Sequence, residues 1–131
     1  MIVLDASALL AFMFQEPGHD AVASVIDTSC ISAVNVSEVI GRFTRDGHDH
    51  RMVFQHLERS PVEMVPFLPE DGALTAALVP ATLHFGLVLG DRACLALAIS
   101  SIRSNSGCSS VSHLPNMASL VPGAIISSRF S

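Results

Sequence analysis

An α/β domain built on a parallel sheet is what this sequence predicts, on three observations. Short apolar runs alternate with segments of helical period along the chain. The first run, Ile2-Val3-Leu4, is continuous, as suits a strand covered on both faces. Carboxylates then stand where apolar segments give way to helices, at Asp5 and Asp91, the sheet rim at which open α/β folds bind ligands. With 131 residues, 50% of them hydrophobic, the chain is sized for one domain, 1–131, with a substantial core.

The elements follow in order. After the opening strand, Ser7 is a candidate cap for a helix through Leu9, Leu10, Phe12, Met13 and Phe14, stopped by Gln15-Glu16-Pro17-Gly18. Residues 19–27 read as a second helix with Val22, Val25 and Ile26 on one side, and Cys30-Ile31 as a short strand. Val36, Val39, Ile40 and Phe43 keep helical spacing, and Asn35 and Glu38, three apart, share a face of that helix. A polar corner at 47–51 precedes a helix begun by Val53, Phe54 and Leu57; 62–67 reads as a strand, and Pro69-Glu70-Asp71-Gly72 as a helix start. Pro80 must kink or end the helix that follows, and Gly86 stops it. Leu87-Val88-Leu89 brings a second apolar run up to Asp91, expected on the same sheet rim as Asp5, and an apolar helix runs from Arg92 to Ile99. From Ser100 the period is lost, until residues 121–126 offer a last strand.

Charge excludes several function classes. The chain has no lysine, seven arginines and a formal net charge of -5, unlike a protein that holds nucleic acid by bulk electrostatics. A phospho-acceptor receiver domain and a P-loop NTPase both need a lysine at the site. Cys30, Cys94 and Cys108 have no CxxC spacing and indicate neither zinc nor a disulfide framework; Cys30 and Cys94 read as buried thiols. The N-terminus has no basic stretch before its apolar run, and Pro80, His84 and Asp91 interrupt the later one, so a cytoplasmic protein without a membrane span is expected.

Three acids carry the chemistry. Asp5 and Asp91 are each explicable as helix caps, and Glu38 as a solvated helix residue. If they converge, their mutual repulsion calls for a hard divalent cation such as Mg²⁺, and hydrolysis of a nucleic-acid backbone is the chemistry that such an ion serves. Asn35 stands beside Glu38 as a supporting amide.

The segments Met1-Ile2-Val3-Leu4-Asp5-Ala6-Ser7-Ala8-Leu9-Leu10-Ala11, Ile31-Ser32-Ala33-Val34-Asn35-Val36-Ser37-Glu38-Val39 and Leu89-Gly90-Asp91-Arg92-Ala93-Cys94-Leu95-Ala96-Leu97-Ala98 resemble, in order, the three signature segments of the PIN-domain family. Within it they look most like the bacterial VapC-type toxin ribonucleases. The resemblance implies a three-layer α/β/α fold with a central, mainly parallel sheet. It implies Mg²⁺ or Mn²⁺ at an acidic cluster, endoribonuclease activity, and the toxin role in a type II toxin-antitoxin system. An antitoxin partner and a homodimer come with it. Carried over residue by residue, Asp5 and Asp91 match metal-site aspartates, Glu38 the acid between them, and Ser7 a hydroxyl that supports the site.

The likeness covers residues 1–99. Family members place a fourth acid near the end, whereas Asp91 is the last acid here, and the local candidates are His113 and Asn116. The segment 100–131 therefore reads as altered relative to the family, and a catalytically weakened PIN fold retained to bind its antitoxin is the alternative function. Phe12, Met13 and Phe14 would supply the surface for such a partner, with core packing the competing use. Arg42, Arg45 and Arg51 are candidate RNA contacts; alternatively they pair with Asp46, Asp49 and Glu58 on a solvated helix pair. The histidines at 48, 50 and 56 lack a set of partner ligands.

Overall fold

The first apolar run forms strand β1 (Ile2–Leu4), flanked in the sheet by β2 (Ser29–Ser32) on one side and the short β4 (Ile125–Ile126) on the other. The computed structural model describes residues 1–106 and 125–126. With β3 (Glu63–Val65) beyond β2, the order is β3-β2-β1-β4, and every pairing is parallel. Parallel neighbours need crossovers, and helices supply them: α1 (Ala6–Met13), α2 (His19–Ala23), α3 (Ala33–Arg45), α4 (His50–Arg59), α5 (Pro69–Ala77), α6 (Val79–Thr82) and α7 (Leu89–Ser106). The result is the expected three-layer α/β/α arrangement.

Strand alternation divides the core between the two faces. Leu4 and Ile31 are paired across β1 and β2 and point into one cluster with Leu9, Val36, Val39, Val53 and Leu57, the layer of α1, α3 and α4. Val3 and Cys30, the adjacent pair, point the other way and meet Cys94 and Ala98 of α7. Leu78, at the end of α5, closes a third cluster with Leu95 and Ala96. Val3 and Leu4 have no exposure, as a strand covered on both faces requires.

Several local expectations need correction. Ser7 does not cap α1: Asp5 does, accepting from the Ala8 N–H at 2.8 Å, while the Ser7 hydroxyl, already inside the helix, donates to the same oxygen at 2.8 Å. The helix expected over 19–27 ends at Ala23 and passes into a 3-10 turn, Ile26–Thr28. There the Val25 carbonyl is taken by the Thr28 N–H and by the hydroxyls of Thr28 and Ser29, so local side-chain bonds compete with helix continuation.

Leu87 and Val88 form no strand. Val88 and Leu89 are more than half exposed, and Leu89 begins α7, whose third residue is Asp91; its carboxylate accepts from the Val88 N–H at 3.0 Å and closes the first turn. α7 also runs beyond Ile99 to Ser106, with the Ser101 hydroxyl turned back onto the Leu97 carbonyl. Pro80 sits in the first turn of α6, where a missing N–H leaves no gap, and Gly86 takes the left-handed conformation at φ +66° that ends the following 3-10 turn. His113, Asn116 and Cys108 lie outside the described residues, as does most of the atypical segment.

Candidate active site

Asp5, Glu38 and Asp91, distant along the chain, line one pocket of about 310 Å³. Each arrives by a different local mechanism. Asp5 is delivered by the end of β1 and fixed by capping α1; it is 3% exposed. Asp91, 6% exposed, is held in the first turn of α7 by its bond to the Val88 N–H. Glu38 projects from α3 and is exposed to solvent. Two helix N-termini therefore border the pocket, and their dipoles offset part of the repulsion between the acids.

The buried thiol of Cys94 lies one turn beyond Asp91 on α7. Burial pushes it well above the usual cysteine range; Asp5 and Asp91 raise it further, followed by Cys30 and Glu38. Cys30 is also raised, by burial first and by Glu63 second. Both are free thiols, as expected. At pH 8 the native protein is expected to leave Cys30 and Cys94 unmodified by iodoacetamide, with alkylation following unfolding in urea. Peptide mass mapping checks this, and rapid native labelling of Cys94 would contradict its placement.

Asn35 organises the Glu38 side. Its amide nitrogen donates to Glu38 Oε2 at 3.0 Å and to the Gly90 carbonyl at 3.1 Å, tying α3 to the first turn of α7. The residue is 1% exposed, and its Oδ1 accepts no hydrogen bond from the described residues. Leaving a buried acceptor unpaired costs about 1–3 kcal/mol. Reversing the amide would set that oxygen against two other acceptors, so the network dictates the orientation. Gly90 was not among the expected site residues. The signal available was a glycine in the first turn of a helix, where other residues favour the helix more.

Arg42 and Arg45 line the same pocket, one and two turns along α3 from Glu38. Arg42 also pairs with Asp46 at 3.3 Å, the surface pairing given as the alternative for it, and lies over the Phe14 ring, 5.5 Å from its centroid. Arg51, the third expected contact, is exposed on α4 and does not line this pocket. Arg92 donates to the Leu87 carbonyl at 2.6 Å and steadies the turn before α7. Ser7 and Asn35 both line the pocket.

Among the described residues, no group of three or more His, Cys, Asp or Glu side chains is arranged to hold a metal ion. The local bonds explain why the shared pocket is not a ready-made coordination sphere: Asp5 and Asp91 each engage one oxygen in a cap, and Glu38 is drawn toward Asn35 and Gly90. The donor chemistry nevertheless fits Mg²⁺ or Mn²⁺. All three groups offer hard oxygens, and a carboxylate has about four lone-pair directions, so a cap does not exhaust it. His48 and His56 line a separate pocket with Met13, Phe43 and Met52.

Comparison with known proteins gives one family: the model described as PIN domain matches residues 2–102. No curated protein matches the chain.

Proposed function

Because the chain belongs to the PIN-domain family, we propose that it is a metal-dependent endoribonuclease of the VapC type, the toxin of a type II toxin-antitoxin pair. The observation that carries this reading is the convergence of Asp5, Glu38 and Asp91 on one pocket whose α3 side bears Arg42 and Arg45. Asp5, Glu38 and Asp91 would hold Mg²⁺ or Mn²⁺. The chemistry supplied there is Lewis-acid polarisation of a phosphodiester and activation of an attacking water.

The chain's own residues do the rest. Ser7 and the Ala8 N–H orient the Asp5 carboxylate. Asn35 orients Glu38. Arg42 and Arg45 meet the phosphate backbone, a contact that carries no sequence preference of its own. A small antitoxin and a second copy of the chain are the proposed protein partners. Phe12 and Met13 are partly buried against the core, which leaves Phe14, exposed and stacked on Phe43, as the aromatic of α1's end offered to a partner. None of the described helices is long and apolar enough to cross a membrane.

Purified protein with Mn²⁺ or Mg²⁺ is expected to cleave single-stranded RNA and to stop when EDTA is added; cleavage that persists in EDTA contradicts the proposal. A second reading is favoured by the lack of any acid after Asp91 and of a preformed metal group among the described residues. In that case the fold has been retained to bind the antitoxin, and isothermal titration with Mn²⁺ separates the two, since a relic site gives no heat of binding.

A further inference from the structure

Gly90 is buried in the first turn of α7 and its φ is not positive, so its backbone does not require glycine. What it lacks is a Cβ, and the space a Cβ would take is filled by the Glu38 carboxylate, with Glu38 Cδ 2.5 Å from that position. The same carboxylate accepts from Asn35, whose second N–H goes to the carbonyl of Gly90 itself. Glu38 is thus seated on the bare Cα of one residue and bridged to that residue's carbonyl by another.

We infer that Gly90 and Asn35 are positioning residues that act together on Glu38: the missing side chain at 90 makes the seat, and the Asn35 amide fastens the carboxylate into it. Left to itself, an exposed glutamate on a helix samples several rotamers, with each χ angle free to change. The seat removes that freedom and keeps the third acid within the pocket shared by Asp5 and Asp91. The orphaned Asn35 Oδ1 is the accompanying sacrifice, since both acceptors that fix the amide must face its nitrogen. The inference rests on the metal-site reading for its consequence, but the seat itself is a matter of packing and is tested separately.

The experiment is a double-mutant cycle on the full chain with Gly90→Ala, Glu38→Ala and the pair. Mn²⁺ affinity is read by isothermal titration, and Tm by far-UV circular dichroism. Gly90→Ala is expected to weaken Mn²⁺ binding about tenfold or more, in the range for lost outer-shell support. Combined with Glu38→Ala it adds no further loss, because no carboxylate remains to displace. Tm gives the second readout: alanine at 90 should raise it in the Glu38→Ala background, where only the helix preference acts, and fail to raise it in the native one. Asn35→Ala supplies an independent arm, weakening Mn²⁺ binding only while Glu38 is present.

Unchanged Mn²⁺ affinity in Gly90→Ala, losses that multiply in the pair, or equal Tm shifts in both backgrounds would each overturn the inference. If the native protein binds no Mn²⁺, the metal-site reading fails, and the Tm cycle alone decides the seat.

Discussion

Asp5→Asn is expected to reduce Mn²⁺-dependent RNA cleavage by about a hundredfold or more while leaving the fold intact. The magnitude follows from removing one of three charges proposed to hold the ion, whose stabilisation of transition-state charge is worth several kcal/mol, at about 1.4 kcal/mol per factor of ten. The fold survives because asparagine caps a helix about as well as aspartate does, and its carbonyl oxygen can still receive the Ala8 N–H and the Ser7 hydroxyl. Asp5→Ala would lose the cap as well, at a further cost of about 1 kcal/mol. A single-turnover cleavage assay beside a thermal melt checks both parts, and retained cleavage by Asp5→Asn would remove Asp5 from the metal set.

Leu4→Ala should give the largest loss of stability, about 2–5 kcal/mol, the range for truncating a fully buried leucine. Leu4 has no exposure and stands on β1, between β2 and β4, where it meets the side chains brought by α1 and α3. Set against a total of about 5–15 kcal/mol for a domain, that loss takes a large share of the fold's margin. The chain has neither Trp nor Tyr, so urea unfolding is best followed by far-UV circular dichroism. A midpoint within experimental error of the native protein would show that this layer does not carry the core.

The parts of the fold written in local spacing were legible. Ile2-Val3-Leu4 announced a strand buried on both faces, and the Asn35 to Glu38 spacing placed an amide beside a carboxylate, as the 3.0 Å bond bears out. Asp91 was legible as a carboxylate that would meet Asp5, which the shared pocket shows, but not in its setting. The run Leu87-Val88-Leu89 fits a strand end as well as a turn entering a helix, and only the bond from Val88 to Asp91 decides between them. Ser7 and Asp5 were rival caps on spacing alone, and Asp5 takes the place because its extended backbone stands just outside the helix while Ser7 already lies within it. The length of α7 was missed because its last turns are serine-rich, and neither apolar period nor propensity marks them. Least legible was the approach of Glu38 to Gly90, which depends on a contact between Asn35 and a residue 55 positions later.

The acid pocket draws on the first strand and on the last of the described helices, with the α3 carboxylate between them in sequence. A ribosome extending a chain by about 5–20 residues per second therefore exposes Asp5 and Glu38 seconds before Asp91. Any action that needs all three is withheld from nascent chains until α7 has emerged and docked. Translation interrupted before Asp91 then yields fragments that lack the third carboxylate altogether.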